Sequence, residues 1–302
     1  MPPVRDPDLF DRILLALDGS PLAEAILPQV RRVLKLRDSE ILVVRAYSPP
    51  LPAGDFAYPP MIDAAEREAR EYVEGIVRRL ADQGARARAV VRQGAAADVI
   101  LETAEREGAS LIAMSTHGRT GLARWIFGSV AEKVLRASPV PVLLVRSFER
   151  GAGGRPRPRA AEEIFIGRVL VPLDGSEFSL RALPHAASLA ELFEADVLLL
   201  HVTGPEETPR PRAESVLERA AAQLATRGLG VDIRVRRGDP ASEILEACRA
   251  ERADAVAMAT HGRSGLSRWT LGSVTEKVLR GAEVPLLVTP PPASAAAARA
   301  AS

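Results

Sequence analysis

The chain has 302 residues, too many for one ordinary domain at about 150 residues each, so two domains are expected. Hydrophobic residues make up 47% and charged residues 26%, which excludes a disordered chain and supplies enough apolar side chains for two cores. Forty basic side chains against 39 acidic ones leave a formal charge of +1, so no basic field exists to recruit nucleic acid. A single cysteine, Cys248, excludes an internal disulfide and a cysteine-rich metal site. Its setting, "EILEACRAE", reads as a helix with a packed bystander thiol.

The first residues carry Asp6, Asp8 and Asp11 ahead of a short apolar run, where a secretory signal needs a basic start and a longer hydrophobic stretch. Later runs such as "VPVLLV" and "ADVLLLHV" fall far short of the roughly 20 residues that cross a bilayer. A soluble cytoplasmic protein with no membrane partner is expected.

The first element, "RILLAL" from Arg12, reads as a strand that ends at "LDGS". Ser20 followed by Pro21 has the form of an N-cap with proline at the first helical position. Asp18 at that strand end must find donors, either on a ligand or on the backbone of the next loop. "EILVVRAY" is the second strand. After the loop "SPPLPAGDFAYPP" comes a long helix, in which Ala65, Ala69, Tyr72, Val73, Ile76, Val77 and Leu80 form one apolar stripe. The runs "ARARAVV", "SLIAMST" and "VPVLLV" complete a set of five strands, with four helices between them.

Everything then repeats. "RVLVPLDGSEFSLRALPHA" from Arg168 answers "RILLALDGSPLAEAILPQV" from Arg12, and "THGRSGLSRWTLGSVTEKVLR" from Thr260 answers "THGRTGLARWIFGSVAEKVLR" from Thr116. Asp18 and Asp174 are 156 apart but Gly118 and Gly262 only 144, so the first copy is 12 residues longer between these landmarks, in or around the loop and helix after its second strand. The expected organisation is a first domain over 8–148, a linker over 149–163, a second domain over 164–290 and a low-complexity tail over 291–302. Apolar strands alternating with helices give an α/β fold: two tandem, open, twisted, five-stranded parallel sheets with helices on both faces.

Ligands of such sheets lie at the carboxyl ends of strands. After "LIAMST" come His117, Gly118 and Gly121, then "GSVAEK" opening a helix; the second copy has His261, Gly262 and Gly265, then "GSVTEK". The glycines let backbone amides approach a ligand closely, and a helix N-terminus favours an anion. Ser129 with Glu132, and Ser273 with Glu276, also have capping-box spacing, a structural role worth about 1 kcal/mol. His117 and His261 lack a partner at any telling distance, so loop ordering stands beside catalysis for them and no catalytic residue is assigned. Arg119 and Arg263 fit either phosphate neutralisation or solvation, and Trp125 and Trp269 fit packing. His185 and His201 are not shared, because Gln29 and Arg45 hold those places in the first copy.

The pattern is neither a Walker phosphate loop nor a dinucleotide fingerprint. With Gly118 and Gly128 ten apart, Ser129 next, and the same spacing repeated, the whole chain resembles a tandem universal stress protein. ATP-binding members of that family carry G-x2-G-x9-G-[ST] after the fourth strand. Its last three elements fall on Gly118, Gly128 and Ser129 and on Gly262, Gly272 and Ser273. Ser115 and Ala259 stand where the first glycine belongs, each adding a Cβ that narrows the site.

The resemblance implies the Rossmann-like, adenine nucleotide α-hydrolase-like strand order 3-2-1-4-5. It also implies ATP as ligand, with Mg²⁺ held mainly through the phosphates and not by a protein metal site. The base would lie against Ala16, Leu17, Asp18 and Ala46, and in the second copy against Pro172, Leu173, Asp174 and Val202. Ribose and phosphates would pass Ser115, Thr116, His117, Gly118, Arg119, Thr120 and Gly121, or Ala259, Thr260, His261, Gly262, Arg263, Ser264 and Gly265. Gly128, Ser129, Val130 and Ala131, or Gly272, Ser273, Val274 and Thr275, would close over the phosphate tail. The fifth strands would pair the two halves as an internal pseudo-dimer, with a homodimer as a further possibility. The activity implied is nucleotide-responsive change of conformation or assembly, against the alternatives of a nucleotide-free scaffold and a slow ATPase or adenylyl transferase.

Overall fold

Residues 8–48, 59–116, 128–150, 156–158, 165–204, 211–260 and 271–291 are described by the computed structural model. The first copy supplies β1 (Arg12–Ala16), a 3-10 turn (Ala23–Ile26), α1 (Leu27–Leu36), β2 (Glu40–Tyr47) and α2 (Pro59–Ala81). It continues with β3 (Arg86–Gln93), α3 (Ala96–Arg106), β4 (Leu111–Ser115), α4 (Ser129–Ala137) and β5 (Val142–Val145). Two short strands follow, β6 (Phe148–Arg150) and β7 (Pro156–Pro158). The second copy gives β8 (Arg168–Pro172), α5 (Glu177–Leu180), α6 (Ala182–Phe193), β9 (Asp196–Thr203) and α7 (Pro211–Ala225). Its remaining elements are β10 (Val231–Arg237), α8 (Pro240–Ala250), β11 (Ala255–Ala259), α9 (Ser273–Gly281) and β12 (Leu286–Thr289).

These elements form two compact units. The first holds the described residues up to 140 together with 147–158; the second holds 141–146 and 165–291. In the first unit the order is β3-β2-β1-β4, all parallel, with Ala16 beside Val44 and Leu15 beside Ala113. In the second the order is β10-β9-β8-β11-β12, also parallel, with Pro172 beside Leu200 and Val256 beside Leu286. The expected 3-2-1-4-5 order is thus seen in full in the second unit. That unit also takes in β5, which runs antiparallel to β12 with Leu144 opposite Leu286 and Val142 opposite Val288. Pairing satisfies the backbone groups that an open apolar edge would leave to other chains.

The central strands are apolar on both faces because helices cover both. Ile13, Leu14, Leu15, Ile41, Leu42 and Val43 are buried, as are Val169, Leu170, Val197, Leu198 and Leu199. On α2 the predicted stripe is the inward face: Ala69, Val73, Ile76 and Leu80 are buried. The 12-residue difference between copies lies here. α2 has 23 residues and α7 has 15, and the connection before α2 is four residues longer.

The helix after each first strand is broken rather than continuous. Pro28 and Pro184 lack the N–H that a continuous helix would donate to Glu24 and Leu180. The chain therefore makes a short turn, Ala23–Ile26 or Glu177–Leu180, before the longer helix starts. The stretch read as linker includes an antiparallel ladder, with Phe148 opposite Pro158 and Arg150 opposite Pro156.

Candidate functional site

At the carboxyl ends of β1 and β8 the chain bends sharply through Gly19 and Gly175, whose φ values of 87° and 81° lie in the left-handed region that suits glycine. Asp18 Oδ1 accepts from Ser20 N at 2.9 Å and from Ser20 Oγ at 2.7 Å. Asp174 Oδ1 accepts from Ser176 N at 2.9 Å. Both carboxylates thus hold their own turn, so the backbone role left open by the sequence is one they perform. Ser20 Oγ accepts from Ala23 N at 3.1 Å, and Ser176 caps α5 by accepting from Ser179 N at 3.1 Å. The N-cap expectation for Ser20 is corrected: the 3-10 turn Ala23–Ile26 has Leu22 at its N-cap, with Ser20 two residues ahead and bonded to the first amide of the turn.

The capping-box reading is corrected. Gly128 is the N-cap of α4 and Gly272 of α9; Ser129 and Ser273 are already the first helical residues, and neither helix has a side-chain cap bond. A serine inside the first turn cannot reach forward to the third amide as an N-cap does. Glu132 and Glu276 turn away to Arg136 at 2.5 Å and Arg280 at 2.6 Å, each one helical turn on. Glu132 N and Glu276 N bond to the Gly128 and Gly272 carbonyls at 3.0 and 2.8 Å. The amides of Ser129, Val130 and Ala131, and of Ser273, Val274 and Thr275, precede that first helical bond and have no side-chain cap among the described residues.

Those helix starts sit at the ends of the fourth strands. Gly128 N donates to the Thr116 carbonyl at 3.1 Å, and Gly272 N to the Thr260 carbonyl at 3.0 Å. Each of these backbone bonds ties a helix start to the end of a fourth strand, which holds the helix terminus at the carboxyl edge of the sheet. Ser115, Thr116, Ala259 and Thr260 are buried. Ser129 and Ser273 are exposed and Val130 and Val274 half-buried, while Ala131 and Thr275 face inward. His117, Gly118, Arg119, Thr120 and Gly121, and His261, Gly262, Arg263, Ser264 and Gly265, lie outside the described residues, as do Trp125 and Trp269.

The neighbouring strands bring the proposed base-binding residues alongside. Leu17 N donates to the Val44 carbonyl at 3.0 Å and Leu173 N to the Leu200 carbonyl at 2.8 Å. These bonds place Ala46 and Val202, both half-buried, two residues past the pairing at each strand end. Between them lie two buried polar side chains that the sequence set aside. Arg45 points to α2, where it pairs with Glu68 at 2.9 Å and stands 5.1 Å from the Tyr72 ring centre. His201 Nδ1 lies 2.7 Å from the Leu173 carbonyl. Thr275 was predicted on phosphate grounds, but its hydroxyl donates to the Ala259 carbonyl at 3.0 Å. The sequence signal for His201 is its polarity within the apolar run "DVLLLHV", which the first copy, with Arg45 at that place, does not share.

The strongly paired carboxylates lie at the other edge of the sheet. Glu40, which opens β2, is held below the usual carboxylate value by its hydrogen bond from Arg12 and a further one from Arg88, against desolvation. Burial pushes the Cys248 thiol up to about 11, consistent with a packed rather than a nucleophilic cysteine. Among the described residues no group of three or more His, Cys, Asp or Glu side chains is placed to hold a metal ion, and no helix is long and apolar enough to cross a membrane.

The family model for universal stress proteins matches residues 9–146 and again 166–290. A universal stress protein of Mycolicibacterium smegmatis is 27% identical over 299 residues, covering 92% of this chain and 97% of its own length. One from Thermus aquaticus is 34% identical over 140 residues, all of its own length and 46% of this chain. In fold, the chain is similar to the crystal structure of a universal stress protein from Archaeoglobus fulgidus, with a TM-score of 0.73 at 24% identity, covering 95% of this chain and 99% of that one. Matched once in each copy and along most of its length, the chain belongs to the universal stress protein family.

Proposed function

We propose that the protein binds ATP, with Mg²⁺ carried on the phosphates, at the carboxyl edge of one or both sheets, and responds by changing conformation or assembly in the cytoplasm. The observation that carries this reading is the pair of helix starts, Ser129–Ala131 and Ser273–Thr275, without a side-chain cap among the described residues and held at the strand ends by Gly128 and Gly272. Amides at a helix N-terminus attract a polyanion through their unmet donors and the helix dipole. The donor set suits a nucleotide phosphate tail: Glu132 and Glu276 are engaged by arginines, so their charge is offset near the site. Mg²⁺ would neutralise phosphate charge, its ligands being phosphate oxygens and water. The triphosphate would lie against the helix amides, and the base beside Ala16–Asp18 and Ala46, or Pro172–Asp174 and Val202.

The role proposed is binding rather than turnover, and no catalytic residue is assigned. Calorimetric titration with ATP and Mg²⁺ tests it, together with mass spectrometry of the purified protein after denaturation. Saturable heat and copurified adenine nucleotide are expected. Absence of both would favour a nucleotide-free scaffold, whose mark in the sequence would be Ser115 and Ala259 in place of glycine.

A further inference from the structure

The two copies differ at their strand ends, and three of the differences favour order in the second. In the second unit three side-chain contacts tie together the segments around the proposed site. His201 Nδ1 meets the Leu173 carbonyl at 2.7 Å, Thr275 Oγ1 donates to the Ala259 carbonyl at 3.0 Å, and His185 Nδ1 lies 3.0 Å from Thr289 Oγ1. They join β9 to the turn after β8, α9 to β11, and α6 to β12. A carbonyl only accepts, so Nδ1 of His201 carries the proton in its contact. Since Leu173 N also donates to Leu200 O, both backbone polar groups of Leu173 are held by β9.

Among the described residues the first unit has none of these three contacts. Arg45 replaces His201 and is drawn off to Glu68 and Tyr72 on α2. Ala131 replaces Thr275 and ends at Cβ, so no side chain of α4 at that position can reach the strand. Gln29 replaces His185, and its Oε1 is buried with no partner among the described residues. A segment already held in place need not be ordered when ligand arrives, so more of the contact free energy is expressed as affinity.

We propose that the second copy is the pre-ordered nucleotide site, with His201 and Thr275 as its positioning residues, so that the chain fills its two sites in order, second copy first. This rests on the nucleotide reading given above. One copy loaded at low ATP and the other only at higher ATP would make the chain a graded sensor.

Titration of the full chain with ATP and Mg²⁺ tests the order. Two classes of site are expected, separated at least about tenfold. Ser129→Asp and Ser273→Asp assign them, because an exposed first-turn carboxylate suits the helix dipole yet repels phosphate. Ser273→Asp should remove the tight class and Ser129→Asp the weak one. In the Ser129→Asp background, His201→Phe or Thr275→Val should weaken the tight class about tenfold. His201→Asn and Thr275→Ser, which keep a donor, should restore it. Two equal classes, loss of the tight class in Ser129→Asp, or unchanged affinity in both His201→Phe and Thr275→Val would overturn the inference while leaving nucleotide binding standing. No heat from the unaltered chain would overturn both.

Discussion

Replacing Gly128 or Gly272 by serine should raise stability and lower ATP affinity together. Gly128 sits at φ −64° and ψ 139°, and Gly272 at φ −57° and ψ 140°, angles that serine adopts without strain. Serine at an N-cap improves on glycine by a few tenths of a kcal/mol, and the stiffer unfolded chain adds about 0.4–1 kcal/mol. A single replacement should therefore gain about 1 kcal/mol, or about 2–4 °C in melting temperature for a unit of this size. The new hydroxyl would accept from the second or third helical amide, Val130 or Ala131, or Val274 or Thr275 in the second copy. That amide is then lost to phosphate, and a charge-assisted hydrogen bond of about 1.5–3 kcal/mol corresponds to a loss of at least about tenfold in affinity. Differential scanning calorimetry and ATP titration read the two effects on one sample. Stabilisation with unchanged ATP affinity would show that these amides do not hold the phosphates; destabilisation would show that glycine is not the N-cap.

Three other outcomes follow from the same geometry. Ser129→Ala and Ser273→Ala should stay within about 0.5 kcal/mol of the parent in urea unfolding, whereas a true capping box would cost about 1 kcal/mol per copy. Cys248, buried and with its thiol raised to about 11, should react with a disulfide reagent at pH 8 only as fast as the second unit opens; immediate stoichiometric reaction in native buffer would contradict its packing. Glu40 is held below its ordinary value of 4.5, by Arg12 foremost and also by Arg88 against desolvation, so its stabilisation is full above the ordinary carboxylate range. That stabilisation is lost as pH falls through the lowered folded value. Glu40→Gln should flatten this acid limb of the stability curve, and an unaltered limb would refute the linkage.

Much of the fold was legible because its signals are local. Apolar runs bounded by charge gave the strands within a residue or two, and the stripe from Ala65 to Leu80 gave the inner face of α2. Strand order was not legible from spacing and came only from the resemblance, since crossovers leave no mark on local periodicity. Ser129 misled because a serine three residues before a glutamate looks the same whether the helix begins at it or just before it. What decided the boundary was the bond from Gly128 N to the Thr116 carbonyl, a tertiary contact across the loop. Pro28 and Pro184 were visible in the sequence, but Pro21 drew attention as the start signal and hid the break they cause. His201 and Arg45 could not be weighed until the strands were paired, because only then does the Leu173 carbonyl come within reach of one and Glu68 of the other.

The most direct test of the central claim is amide NMR of the isotopically labelled chain during titration with ATP and Mg²⁺. The backbone N–H resonances of Ser129–Ala131 and Ser273–Thr275 should shift downfield and saturate with the ligand, as donors do when phosphate oxygens engage them. Binding that leaves those resonances unmoved and shifts only distant residues would contradict the account.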